Sequence, residues 1–209
     1  MRVQMKNILC ATDFSDFSNH TIPYGVALAK EFDAKLYICH VIDLSSIAIY
    51  GEFQLNPVDQ QNRIRKQAAE QLDQIIGEQP VKWEPLITVG HTADEVSRLV
   101  EEKGIDLVIA ATRGRSGLKR LILGSVTERL MRVLPCPLLV VHSPEHEFVN
   151  PISQEIRLKK ILVGCDFSPD SDLAFQHALS LAQEFEADLH LAHVIEPSVS
   201  SELLKPDKA

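Results

Sequence analysis

Short uninterrupted apolar runs alternating with helical periodicity predict an α/β protein, a parallel sheet with helices on both faces. The runs Asn7–Thr12, Leu36–Val41, Asp106–Ala111 and Leu138–His142 lack the apolar/polar alternation of a half-solvated sheet, so their strands are expected to be covered on both sides. Between them, apolar residues recur three or four positions apart, as on a helix with one buried stripe. A third observation sets the domain organisation. Lys159 to Glu196 aligns without gaps on Lys6 to Asp43 at a constant offset of 153, so a duplicated unit follows the first.

In chain order, Asn7–Thr12 is the first strand and stops at the polar Asp13. Ser15 to Asn19 carries turn and cap chemistry, and Ile22, Val26, Ala29 and Phe32 predict a helix over about 19–32, with Pro23 tolerable only in its first turn. Leu36–Val41 is the second strand, and the aperiodic 43–57 reads as a loop. A polar helix follows over 58–76, with Ile64, Ala68, Leu72 and Ile75 on its inner face and Gly77 ending it. Lys82–Val89 is the third strand. Gly90-His91-Thr92 opens a helix whose inner residues are Val96, Leu99 and Val100 and whose stop is Gly104. Asp106–Ala111 is the fourth strand. Ser125-Val126-Thr127-Glu128 has capping-box spacing for a helix starting at Ser125, and Leu138–His142 is the fifth strand. This places one complete domain at 1–143, a linker rich in Pro and Glu at 144–158, and a partial β-α-β repeat with a tail at 159–209. A single β-α-β unit cannot cover its own strands and needs something to pack on.

Composition excludes several classes. The net charge of −8 argues against a general nucleic-acid binder. No apolar run approaches the ~18 residues of a membrane helix, and a cytoplasmic location is expected. Cys10, Cys39, Cys136 and Cys165 form no CxxC pair and read as reduced, mostly buried thiols.

Against this acidic background, Ala111 to Ser125 is a basic island. It holds Gly114, Gly117 and Gly124 with Arg113, Arg115, Lys119 and Arg120 among them, between a strand and a helix start. A glycine-bearing loop lets backbone N–H groups turn toward a ligand, and a helix N-terminus adds unpaired donors with partial positive charge. The chemistry suits a phosphate. There is neither a Gly-x4-Gly-Lys-Ser/Thr loop nor a Gly-x-Gly-x2-Gly turn, so the common NTPase and dehydrogenase readings lose support. No nucleophile with a paired base is evident either, so binding is expected more than catalysis, with at most slow hydrolysis.

Asp13 ending the first strand, Val41 near the end of the second and the Gly114–Ser125 loop together resemble the universal stress protein family. The resemblance spans 6–142 as a full domain and 159–196 as the start of another. The nucleotide-binding branch of that family has a Gly-x2-Gly-x9-Gly-Ser/Thr motif. Gly114 and Gly124-Ser125 match it, and Ala111 stands at the first glycine. The resemblance implies a five-stranded sheet of order 3-2-1-4-5, like that of adenine-nucleotide α-hydrolases, with a crevice where the order reverses between strands one and four. It further implies that this crevice holds ATP, or ADP or AMP, with Mg²⁺. Asp13 would lie near ribose, adenine or the metal, Val41 against adenine, and Ala111, Arg113, Gly114, Arg115, Gly124, Ser125 and Val126 around the phosphates. Bland alternatives stay open: a strand-end turn for Asp13, a core valine for Val41, a solvated basic loop for the arginines. His40 and its repeat counterpart His193 are metal or acid–base candidates or, more simply, an inherited packing position. The implied role is that of a regulatory stress protein; the alternatives are a nucleotide-free dimeric interaction module and a weak ATPase. The apolar fifth strand, expected at the sheet edge, suggests a homodimer through Leu138–His142, the second repeat, or both.

Overall fold

Five parallel strands carry the larger part of the chain: β1 (Asn7–Ala11), β2 (Lys35–Ile42), β3 (Trp83–Val89), β4 (Leu107–Ala111) and β5 (Leu138–Val141). They lie in the order β3-β2-β1-β4-β5. The computed structural model describes residues 4–43, 57–112, 124–142 and 148–195. The chain divides into two compact units, Gln4–Arg157 and the segment from Leu158 onward.

Both faces of the central strands β1, β2 and β4 are buried, as their uninterrupted apolar runs require, while the edge strands β3 and β5 are mostly half-buried. Leu9, Tyr37, Cys39, Val41, Val108 and Ala110 form one core with Val96, Leu99 and Val100 of α4 (Thr92–Lys103) and Leu130 of α5 (Ser125–Val133). The intervening strand residues Ile8, Cys10, Leu36, Ile38 and Ile109 are also buried. Helix α2 (Thr21–Phe32) packs on β1, β2 and β4, and α3 (Pro57–Ile76) packs on β3. Among the described side chains of α3 the buried ones are Ala68, Leu72 and Ile76, an i+4 row, so Ile76 rather than the half-buried Ile75 completes the inner face.

The helix expected over about 19–32 is α2, and the turn and cap stretch before it forms a turn of helix of its own. This one-turn α1 (Asp16–Asn19) begins at Ser15, whose Oγ accepts from Ser18 N, and α2 starts after His20. Thr21 is fully buried and its hydroxyl donates to the Ser18 carbonyl at 2.7 Å, which ties the two pieces together. Close approach of α2 to the sheet depends on Gly25: a Cβ there would lie 2.3 Å from Cys10 Sγ and 3.0 Å from a Leu36 methyl. Cys10 and Cys39 are buried thiols whose desolvation raises each pKa to about 12, while Cys136 and Cys165 are partly buried.

Within the stretch read as connecting segment, residues 148–157 fold back on themselves through a bridge between Val149 and Ile156. Val149 is fully buried, and Phe148 meets Tyr24 edge-on at 5.0 Å.

The repeat forms a two-stranded parallel sheet, β6 (Lys160–Gly164) and β7 (Asp188–Ala192), joined by α6 (Pro169–Phe185). Its register, Lys160 with Asp188, reproduces that of Asn7 with Lys35 at the same 28-residue spacing.

Candidate functional site

The sheet order reverses between β1 and β4, whose residues Ile8, Leu9 and Cys10 pair with Leu107, Val108 and Ile109. Connections leave these neighbours in opposite directions, which opens a crevice beyond their C-terminal ends. Asp13 lies two residues past β1 and Ala111 is the last residue of β4, so both belong to that edge.

The turn carrying Asp13 is fixed by a dense set of hydrogen bonds. Asp13 Oδ1 accepts from the Ser15 backbone at 3.0 Å and the Ser15 hydroxyl at 2.6 Å. Ser18 Oγ accepts from Asp13 N, and Thr12 Oγ1 accepts from Phe14 N while donating to Asn19 Oδ1 at 2.8 Å. Phe14 is left-handed, at φ 66°, an unusual conformation for an aromatic residue. Its ring packs on His40 with centroids 4.1 Å apart, and His40 Nδ1–H donates to the Thr12 carbonyl at 2.9 Å. The repeat reproduces this: Phe167 has φ 63°, and His193 contacts Phe167 and donates to the Cys165 carbonyl at 2.7 Å. His40 is therefore bonded into the Asp13 turn, and no cluster of three metal-ligating side chains occurs among the described residues. Phe14 and Ser18 are not among the residues that the sequence singles out for the site; the repeated Asp-Phe-Ser is the signal that points to the turn they belong to.

On the β4 side, the strand end and the helix start are pinned together. Gly124 N donates to Thr112 O at 2.8 Å, Thr112 N donates to Val141 O at 3.0 Å, and the buried Thr127 hydroxyl donates to Ala111 O at 2.7 Å. Helix α5 begins at Ser125 as expected, but the capping box is not formed. Gly124 is the N-cap, in extended conformation with no side-chain cap, and Glu128 Oε1 accepts from Arg132 at 2.6 Å. The N–H groups of the first helical turn have no carbonyl to bond within the helix, and Ser125 and Val126 are exposed there. Arg113, Gly114 and Arg115, with Lys119 and Arg120, lie outside the described residues. Val41 is buried in the same core as Leu9 and Val96, near the C-terminal end of β2.

The turn after β1 thus offers a carboxylate, and the start of α5 offers N–H donors that no carbonyl within the helix accepts. That pairing can hold a polyhydroxylated or phosphorylated ligand. It contains no evident nucleophile–base pair among the described residues.

The model of the universal stress protein family matches residues 5–142 and 157–209. A universal stress protein of Methanocaldococcus jannaschii is 33% identical over 145 residues, covering 68% of this chain and 85% of that protein. The universal stress protein YxiE of Bacillus subtilis is 32% identical over 145 residues, covering 64% of this chain and 97% of that one. Among solved structures, the M. jannaschii protein MJ0577 superposes with a TM-score of 0.59 at 28% identity, covering 69% of this chain and 100% of its own. A universal stress protein from Archaeoglobus fulgidus gives a TM-score of 0.67 at 22% identity, covers 96% of this chain and 70% of its own, and so shares the fold across the second unit as well. With both of its repeats matched and the sheet order in agreement, the chain belongs to the universal stress protein family.

Proposed function

We propose that the chain is a regulatory stress-response protein that binds an adenine nucleotide, ATP or its ADP or AMP relatives, with Mg²⁺, in the crevice between β1 and β4. The observation that carries the reading is the union, at one topological switch point, of the Asp13 turn with a helix start lacking a side-chain cap. In this reading Asp13 meets the ribose or the metal, Val41 backs the adenine, and Gly114, Ser125 and Val126 offer N–H groups to phosphate, while Gly124, its own N–H held by the Thr112 carbonyl, lets the backbone approach it. Arg113 and Arg115 supply charge, and Ala111 ends the strand from which the loop departs.

Magnitudes require these parts to act together. A helix N-terminus contributes typically ~0.3–1 kcal/mol toward an anion. Micromolar affinity corresponds to about −8 kcal/mol. Several N–H bonds, the adenine slot and the metal must therefore contribute at once. The working form is cytoplasmic and dimeric through the edge strand Leu138–His142, whose residues Leu138 to Val140 are half-buried and aliphatic.

Mass spectrometry of an acid extract of the purified protein tests this, with an adenine nucleotide expected. Added Mg·ATP should also raise the melting temperature, and Gly114→Val should remove that rise. The proposal fails if no nucleotide copurifies and ATP leaves the wild-type melting curve unmoved. Ala111, where the nucleotide-binding motif has a glycine, favours a second reading: a nucleotide-free interaction module. In that case Gly114→Val would bind partners normally. A weak ATPase would instead release phosphate at a rate that Asp13→Ala abolishes.

A further inference from the structure

The two copies of the Asp-Phe-Ser turn keep one geometry with different side chains beside it. In the first copy Thr12 is tied at three points. Its N–H donates to the Cys39 carbonyl at 2.9 Å, and its carbonyl accepts from His40 Nδ1 at 2.9 Å. Its Oγ1 accepts from Phe14 N at 3.0 Å and donates to Asn19 Oδ1 at 2.8 Å. In the repeat Cys165 stands in the place of Thr12 and Asp172 in that of Asn19, so the hydroxyl that makes two of these bonds is gone. The backbone bond stays, from Cys165 N to Ala192 O at 2.8 Å, and so does the histidine bond, from His193 Nδ1 to Cys165 O at 2.7 Å. The turn stays with them. Phe167 is left-handed at φ 63°, as Phe14 is at 66°, and Asp166 Oδ1 accepts from Ser168 N as Asp13 Oδ1 does from Ser15 N. The turn therefore survives loss of the hydroxyl and keeps the histidine.

A carbonyl only accepts, so this bond places the proton of the neutral imidazole on Nδ1 and commits that nitrogen to the Thr12 carbonyl. The carbonyl belongs to the planar peptide that joins Thr12 to Asp13, so a donor from β2 fixes the plane from which the Asp13 side chain leaves. On the other side of Asp13, the half-buried His40 ring packs against Phe14 with centroids 4.1 Å apart. Phe14 holds a backbone conformation that bulky residues rarely adopt, and this contact offsets part of its cost. One side chain thus grips the turn on both sides of the aspartate. Resting on the nucleotide reading of the crevice, we propose that His40 is its positioning residue. It holds the Thr12–Asp13 peptide and so sets the carboxylate that meets the ribose or the metal. It acts through Asp13 and not on the ligand. A packing histidine is replaceable by any ring of its size, whereas a positioning one is replaceable only by a side chain that donates from the same place.

Isothermal titration of the full chain with Mg·ATP separates the two roles. His40→Phe keeps a ring against Phe14 and removes the donor. It should lower affinity roughly fivefold to tenfold, the scale of one hydrogen bond. His40→Asn, whose amide N–H reaches the place of Nδ1–H, should return affinity to within about twofold of wild type. With Asp13→Ala in place, His40→Phe should cost nothing further, because the residue it positions is gone. His193→Phe, which removes the same bond from the repeat, should leave affinity unchanged. The proposal is overturned if His40→Phe binds like wild type, if His40→Asn is no better than His40→Phe, or if the losses from His40→Phe and Asp13→Ala add in full. An equal loss from His193→Phe also overturns it. Amide exchange of Ser15, whose N–H donates to Asp13 Oδ1, reports on the turn without ligand. It should quicken in His40→Phe and recover in His40→Asn. If the wild type does not bind Mg·ATP, the nucleotide reading falls by itself and exchange decides the role of His40, an unchanged rate overturning it.

Discussion

The chain carries two similar β-α-β sequences, one within a five-stranded sheet and one, among the described residues, in a two-stranded sheet. In both copies the strands have the same register, the aspartate the same turn, the phenylalanine the same left-handed backbone and the histidine the same bond to a carbonyl. The difference is what lies alongside. The first copy gains β3 and β4 as strand neighbours and α4 and α5 on its second face; among the described residues the second copy packs α6 on its two strands. Local structure is thus set by local sequence, whereas burial is set by the neighbours that lie alongside each copy. An aliphatic residue placed identically in both copies is a core residue in one and a surface residue in the other.

Equivalent substitutions in the two copies should therefore diverge, most of all at the strand centre. Leu9→Ala leaves a cavity in a packed core and should cost about 2–5 kcal/mol. Leu162→Ala removes a side chain already in solvent and should stay within about 0.5 kcal/mol. Urea denaturation of the two variants checks this, and equal losses would mean that Leu162 is covered in solution. The next effect concerns helix-to-sheet distance. Gly25 faces Cys10, while the corresponding positions in the repeat are Ala178 and Val163, both buried. Gly25→Ala should cost about 1–3 kcal/mol through overpacking. Cys10→Ala in the same chain should recover part of that loss, since the thiol is the nearest atom in the way.

The same contrast explains what the sequence made legible. Strands could be read because both faces of β1, β2 and β4 are buried, which leaves uninterrupted apolar runs, and the site's location followed from the family's strand order. Details that depend on a few polar contacts could not be read this way. The break at His20 arises from the Ser15 cap and the Thr21 hydroxyl, each an ordinary residue at its position. Ser125 and Glu128 have capping-box spacing, yet Gly124 takes the cap because the Thr127 hydroxyl and Gly124 N–H tie the helix start to β4 and the residue after it. The segment after β5 reads as a linker from its prolines and charges, and Val149 and Phe148 were too few to signal packing on their own. His40 was visible only as a repeated letter until its bond to Thr12 joined it to the Asp13 turn.

The two aspartates separate the turn from the site. If the crevice binds nucleotide, Asp13→Ala should weaken Mg·ATP binding by roughly tenfold to a hundredfold, the loss of a charged hydrogen bond. Asp166→Ala, in the copy where no helix start comparable to that of α5 lies beside the turn among the described residues, should leave the affinity unchanged. Isothermal titration of both variants decides it, and a loss with Asp166→Ala would place the ligand elsewhere.

The smallest effect is electrostatic and belongs to the repeat's turn. Hydrogen bonds from Ser168 hold the Asp166 carboxyl at a pKa of about 2, below its ordinary value. A depressed carboxylate favours the folded turn above the unfolded pKa of ~3.9, and that contribution fades as pH falls through the folded pKa. The window is therefore about pH 4 down to pH 2. Because the group is exposed to solvent, the contribution is a modest one. Carboxyl-carbon NMR should find Asp166 still ionised at pH 3, and Ser168→Ala should move its midpoint toward that of an unperturbed aspartate. A wild-type midpoint near 4 would mean the turn is not held closed in the repeat, and that its geometry in the first unit depends on the neighbouring strands after all.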